Sequence, residues 1–338
     1  YHRLLNNYSF YLEDIWSFGN RLLIKPGVRF EAFDRSTPKT AISPRLAMRY
    51  EYNEQIALKA ASGIYYQSLF SSREKGYIGL LEIPFSTSGG KLQKSVHYIL
   101  GGEYYPNNRT RLSTEIYYKM LNHISKNRRS TVNSPVFILG KGHAYGIELI
   151  WKKIGDRLSY ELDYSLSWTK RKFGGVEYFT PYDQRHTLSF LGSYKLPKNW
   201  SLDFRWTFNS GRAYRPARFA TEQIYLNGYF VNDHVTPSDY VGYAEGTEID
   251  HTNIYGRMPM YHRLDISFVK TIVYRKWVIK PFINLINSYY RNNPLYYDTK
   301  ETVKTSYTPE GYPLYTSLAK RRSFGIPIVP SFGAHFEF

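Results

Sequence analysis

Between Leu158 and Lys170 the sequence LSYELDYSLSWTK sorts into two registers. Leu158, Tyr160, Leu162, Tyr164, Leu166 and Trp168 occupy one, and Ser159, Glu161, Asp163, Ser165, Ser167 and Thr169 the other. Successive side chains of a strand point to opposite sides, so this period of two specifies a β-strand with one oily and one wet face. At about 3.3 Å per residue and a tilt of about 40° it rises roughly 33 Å, the thickness of a bilayer's hydrocarbon core. The stretch is expected to cross a membrane.

Composition agrees with a wall built of such strands. Aromatic residues make up 18% of the 338, with 34 Tyr, yet only 42% of residues are apolar and the mean hydropathy is −0.48. A transmembrane barrel needs an apolar residue only at every second position, and no window approaches the eighteen or so apolar residues of a spanning helix. The net charge of +17 leaves nucleic acid, anionic lipid, acidic solutes or a plainly basic surface open. Cysteine is absent, which suits an oxidising compartment. The chain opens at Tyr1 without the segments of a secretory leader; if exported, it is expected to have lost one or to lie downstream of it.

The same alternation recurs along the chain, and its connections alternate short and long. Strands are expected at Tyr8 to Trp16, Arg21 to Asp34, Pro44 to Tyr52, Ile56 to Gln67, Ser95 to Tyr105, Arg111 to Leu121, Ala144 to Trp151 and Leu158 to Lys170. Five more follow at Arg185 to Leu196, Trp200 to Ser210, Tyr261 to Tyr274, Trp277 to Asn287 and Ile328 to Phe338. Turn residues mark the short connections, as in Pro106-Asn107-Asn108 and Pro197-Lys198-Asn199. Long loops are expected at about 68–94, 122–141, 171–184, 211–260 and 288–327.

The chain is therefore expected to be all-β: an antiparallel up-and-down transmembrane β-barrel with about thirteen strands present, spanning 1–338 as one partial barrel. Outer-membrane barrels put short turns in the periplasm and long loops outside, so the first and last strands both run downward. Parallel ends cannot close an antiparallel barrel, and open edges are not tolerated in lipid. Earlier strands are expected upstream of this chain.

Several segments resemble TonB-dependent outer-membrane receptors, most closely the Bacteroidetes-type members. They are SPRLAMRYEYNEQIALKAASGIYYQ (Ser43 to Gln67), DQRH (Asp183 to His186), LPKNWSL and FNSGRAYRP (within Leu196 to Pro216), GRMPMYHRLDIS (Gly256 to Ser267) and the closing IPIVPSFGAHFEF with its final Phe338. The resemblance implies strands ten to twenty-two of a 22-stranded barrel, in which even-numbered strands run downward. It also implies that the plug, the box contacting the TonB-type energy-coupling protein and nine strands precede Tyr1. The outer membrane of a Gram-negative bacterium is the implied location.

No residue pattern points to covalent chemistry or to a cofactor. Nine histidines are scattered without a zinc-ligand spacing, and Gly89-Gly90 and Gly174-Gly175 read as turns, not phosphate loops. Glu161, Asp163 and Asp203 are read as parts of a charge-compensated lumen wall, with Arg205, Arg29 and Lys59 as partners. For ligand binding the candidates are the loop residues Tyr214, Tyr225, Tyr229, Tyr240 and Tyr243, whose rings give large contact areas at modest entropy cost, with Phe230 and Tyr255 beside them. Self-packing of the loop is the alternative. Arg185 and His186, at the outer end of a strand, either reach a ligand in the vestibule or cap the strand. The basic clusters Lys126, Arg128, Arg129 and Lys170, Arg171, Lys172 fall at the outer rim, where lipopolysaccharide phosphate or solvent is their partner.

The expected function is the barrel part of an energised uptake receptor for a scarce small-molecule or oligomeric nutrient. A passive porin or surface adhesin is the alternative, and an outer-membrane hydrolase a further one. A nucleic-acid partner is disfavoured, because aromatics and cations fall on opposite faces instead of being interleaved on one.

Overall fold

The computed structural model describes residues 6–33, 38–71, 84–86, 91–128, 136–180, 182–214, 219–222, 225–226, 229–230, 256–293, 297–299, 303–307, 313–317, 320–322 and 325–337. Thirteen long strands follow one another: β1 (Asn7–Glu13), β2 (Leu22–Phe33), β3 (Thr40–Glu51), β4 (Ile56–Gln67), β5 (Gln93–Asn107), β6 (Thr110–Arg128) and β7 (Val136–Lys153), then β8 (Leu158–Phe173), β9 (His186–Leu196), β10 (Trp200–Asn209), β11 (Tyr261–Lys270), β12 (Trp277–Ile286) and β13 (Val329–Glu337). With the short strands Trp16–Phe18, Val176–Phe179 and Ile272–Tyr274 they form one 16-stranded sheet. Each long strand pairs antiparallel with its neighbours in the chain. The sheet is open: among the described residues β1 and β13 each have a partner on one side only.

Directly paired residues share a face, so the register assigns every side chain. One row reads Ile24, Met48, Ala60, Leu100, Ile116, Ile147 and Leu166 across β2 to β8. The row one residue away reads Arg49, Lys59, Gly101, Glu115, Glu148 and Ser165. Exposure inverts the order of a water-soluble protein: Leu100 and Ile116 are 65% and 60% exposed, while Glu103 and Ser113 are each at 6%. An oily exterior around a wet interior is stable only where the exterior meets lipid. Trp151, Trp200 and Trp277 lie at the short-turn end of the outward face. At the other end Tyr118, Tyr145 and Trp168 stack in a ladder, with centroids 6.3 and 5.2 Å apart. From Leu158 to Trp168 is about 33 Å along the strand, or about 25 Å along the membrane normal, the height of an apolar band between aromatic girdles.

The short connections are built from the turn residues the sequence offers. The Asn53 side-chain oxygen accepts the backbone N–H of Gln55 and Ile56 at 2.9 and 2.8 Å, and Asn107 accepts that of Arg109 at 3.0 Å. Lys198 and Asn199 both take positive φ, 60° and 58°, as the two-residue turn between right-twisted strands requires. On the outward face Gly192 leaves a notch that the ring of Phe204 fills; a Cβ there would collide with that ring.

Three expectations are corrected at the strand ends. The hairpin of β6 and β7 stays paired through Arg128 and Val136 instead of opening at residue 122, with a register shift between Gly140 and Lys141. Ile124, 5% exposed, gives that extension its own apolar packing. β8 likewise runs on to Phe173 and returns through Gly174-Gly175 to Val176–Phe179. The eleventh strand ends at Lys270, and Ile272–Tyr274 forms a separate short strand against β12.

Placing a charge in the outward row tests the assignment of faces. Ile116→Arg is expected to destabilise the folded barrel by about 2–4 kcal/mol in bilayers, and Ser165→Arg on the inward face by much less. Denaturant midpoints of protein refolded into vesicles would show it, and equal costs would contradict the assignment.

Candidate ligand-facing rim and lumen wall

On the inward face, charge is compensated along and across the strands. The Glu103 carboxylate, on β5 with 5% of its side chain exposed, accepts hydrogen bonds from Arg49 of β3 at 2.5 Å, Arg111 of β6 at 2.7 Å and the Tyr105 hydroxyl at 2.9 Å. Lys59 of β4 lies 3.2 Å from Glu103 and 2.7 Å from Glu115, and Arg49 also reaches Glu51 at 2.6 Å. A carboxylate this enclosed stays in place because every lone-pair direction has a cation or hydroxyl in front of it. Two of the three expected partners serve other carboxylates, Lys59 serving Glu103 and Glu115 and Arg29 serving Glu31 at 3.2 Å; Glu161 takes Lys152 at 3.0 Å, while Arg205 acts on the Asp163 carboxylate through space as expected. Arg205 stands in the row of Glu161, with Leu191 between them.

At the long-loop end, Asp183 is the most enclosed charge, its side chain fully buried. One carboxylate oxygen accepts the Thr169 backbone N–H at 2.9 Å and an Arg185 N–H at 2.8 Å; the other accepts from Arg257 at 2.5 Å. Arg257 also donates to the carbonyls of Asp183 and Gly211, at 2.9 and 3.2 Å, and the Ala213 N–H reaches the Asp183 carbonyl at 3.1 Å. Both guanidinium groups lie over the Phe179 ring, Arg185 at 4.5 Å and Arg257 at 5.6 Å, and Arg185 also faces Trp168 at 5.3 Å. The two ends of the loop between β10 and β11 are thus fastened together and onto β8. Asp183, the Gly211 to Ala213 turn and Arg257 come from three separate sequence motifs; no single motif announces that they meet.

The sequence-derived binding residues do not form one cluster in the described structure. Arg185 belongs to the clamp. His186 pairs with Leu166 in the outward register, and its Nδ1 is hydrogen-bonded to the Tyr164 hydroxyl at 2.9 Å. The backbone of Ala213–Tyr214 pairs with Gly256–Arg257, and Tyr225–Leu226 pairs with Tyr229–Phe230, both within the loop that follows β10. Tyr240, Tyr243 and Tyr255 lie outside the described residues. The basic residues Lys126 and Arg128 fall on β6, Lys170 to Lys172 on β8, and Arg129 outside the described residues. Among the described residues no group of three or more His, Cys, Asp or Glu is placed to hold a metal ion.

An open antiparallel meander with a lipid-facing exterior, a charged interior and loops fastened at one rim defines the wall of an outer-membrane β-barrel. A family model described as "TonB dependent receptor-like, beta-barrel" matches residues 4–267, and the chain belongs to that family. No curated protein matches the sequence. Among solved structures, the FrpB iron transporter of Neisseria meningitidis superposes with a TM-score of 0.61 at 11% identity, covering 98% of this chain and 45% of that one. The ferric yersiniabactin uptake receptor FyuA of Yersinia pestis gives 0.56 at 15% identity, covering 99% and 46%. The ferric enterobactin receptor PfeA of Pseudomonas aeruginosa gives 0.56 at 15%, covering 85% and 40%. The chain spans less than half the length of these receptors.

Removing the clamp's carboxylate leaves two guanidinium groups facing each other across a buried site. Asp183→Ala is therefore expected to destabilise the barrel by about 3 kcal/mol. It should also make the loop between β10 and β11 more susceptible to protease on intact cells, with the wall still folded. Unchanged cleavage would show that the loop is anchored elsewhere.

Proposed function

We propose that this chain is the barrel wall of an energised uptake receptor that captures a scarce nutrient, a metal chelate first among the candidates, and passes it inward without covalent chemistry. Family membership over residues 4–267 carries this reading. It is supported by the structural neighbours, which are named as receptors or transporters of iron or ferric chelates. The charged, compensated inward wall suits a passage for a polar solute beside a separately coded or preceding plug, which a TonB-type partner would pull. In this reading Tyr214, Tyr225, Tyr229, Tyr240 and Tyr243 line the outer mouth and supply flat contact area, with Arg185 and His186 at the neighbouring rim.

Deleting the gene for the whole receptor should slow growth when iron chelates, cobalamin or glycans are limiting, for one nutrient and not the others. Uptake of that nutrient should stop when the proton-motive force is collapsed. Uptake that continues in de-energised cells would identify a passive pore, and surface attachment lost with no change in nutrient use would identify an adhesin. Alanine in place of the five tyrosines should weaken capture at least about tenfold while leaving the barrel folded, if the rings make the contact.

A further inference from the structure

The end of the sheet that carries the short turns, which outer-membrane barrels place in the periplasm, is basic along one side. From β5 to β12 its turns hold Arg109, Arg157, Lys195, Lys198, Arg275 and Lys276, and Asp156 is the one carboxylate among them. The two turns before these are not basic: Asp14 and Arg21 share the first, and Glu54 stands in the second. Asp156 is already committed to Arg109, whose guanidinium lies 2.9 Å away. Beside that pair a cavity of about 650 Å³ opens between the β5–β6 and β7–β8 turns, with Lys153 and Arg157 in its lining. The Lys195 N–H donates to the Arg157 carbonyl at 2.8 Å, one step below the pairing of Leu158 with Tyr194. The two side chains therefore stand about 5 Å apart at their Cβ atoms, in the same inward register as Ser159 and Ser193. Neither they nor Lys198 has an ion-pair partner among the described residues. Like charges directly opposite each other repel, and an anion between them removes that repulsion.

Three features select the anion. Arg157 and Lys195 stand on the lumen side, out of direct reach of the lipid around the wall; Lys153 and Lys270, opposite Tyr160 and Trp200, point the other way. Successive turns lie two strands apart, about 10 Å along the rim, so the cations form a line of about 30 Å instead of a closed pocket. Such a line suits a polymer with repeated anionic groups better than a small anion. The tips Pro106-Asn107-Asn108, Ile154-Gly155-Asp156 and Pro197-Lys198-Asn199 lack the packed aromatic centre of a protein interface, and Ile154, 57% exposed, stands isolated among them. We infer that this arc binds the carboxylates of the cell-wall glycopeptide in the periplasm. One carboxylate lies between Arg157 and Lys195, and others meet Lys198 and the Arg275-Lys276 turn. The contact holds the periplasmic mouth of the receptor against the wall polymer, whatever the receptor transports.

The test uses the whole receptor, purified in detergent and mixed at low salt with isolated cell-wall sacculi; the bound fraction is read after centrifugation. The Arg157→Gln/Lys195→Gln/Lys198→Gln variant should bind at least about fivefold more weakly than the parent, because three charges that act together are lost. The charge-keeping Arg157→Lys/Lys195→Arg/Lys198→Arg variant, and Lys141→Gln/Lys172→Gln at the opposite rim, should bind like the parent. Heat-modifiable migration on gels reports that each variant is folded. Salt at about 1 M, where the screening length is about 3 Å, should release the receptor, and sacculi with amidated carboxyl groups should fail to hold it. Undiminished binding by the folded Gln variant, or equal binding to amidated sacculi, overturns the proposal. Variant-sensitive binding to phosphatidylglycerol vesicles with none to sacculi also overturns it, by assigning the arc to lipid.

Discussion

In hydrocarbon there is no water to satisfy a backbone amide, so a spanning strand must find all its hydrogen bonds in its neighbours. Everything else in this chain follows from that requirement. It forces each of the thirteen wall strands to lie antiparallel beside the next, and the register in turn fixes which side chain meets lipid. A slip of one residue would send Arg49, Lys59, Glu115 and Glu148 outward together, which makes the wrong pairing prohibitive instead of merely less good.

The inward face obeys a different rule. Side chains there face water, and a charged one that is enclosed needs a partner. The wall resolves this by bringing opposite charges from nearby strands to hydrogen-bonding distance, so that Glu103 gathers groups from β3, β4 and β6. The same chemistry at the rim has another use. Asp183 and its two arginines hold loop ends, where backbone pairing has stopped and side chains must supply the fastening. Charge thus stitches the surface that faces water, while the ladder stitches the surface that faces lipid.

What the sequence disclosed divides along the same line. The strand between Leu158 and Trp168 is legible because lipid on one side and water on the other impose strict alternation, and the same holds for most of the wall. Above the aromatic ladder no such demand exists. The upper hairpin of β6 and β7, with Gly140, Gly142 and a register shift, carries no clean period and reads as loop although it is paired. The clamp is less legible still, since Asp183 and Arg257 lie 74 positions apart in segments without periodicity. Counting by twos from Leu188 places His186 in the outward register, where it pairs with Leu166.

Between the two longest loops runs a feature of a different kind: Phe219–Glu222 pairs with Pro313–Ser317, which pairs with Val303–Tyr307. Wall strands pair with chain neighbours and can be added one hairpin at a time. This small sheet instead joins a segment before β11 to one after β12, and the wall strands between them shorten the loop that its pairing must close. The topology thereby favours one sequence of events, with local wall hairpins pairing at low entropic cost and the long-range sheet gaining most once they are in place.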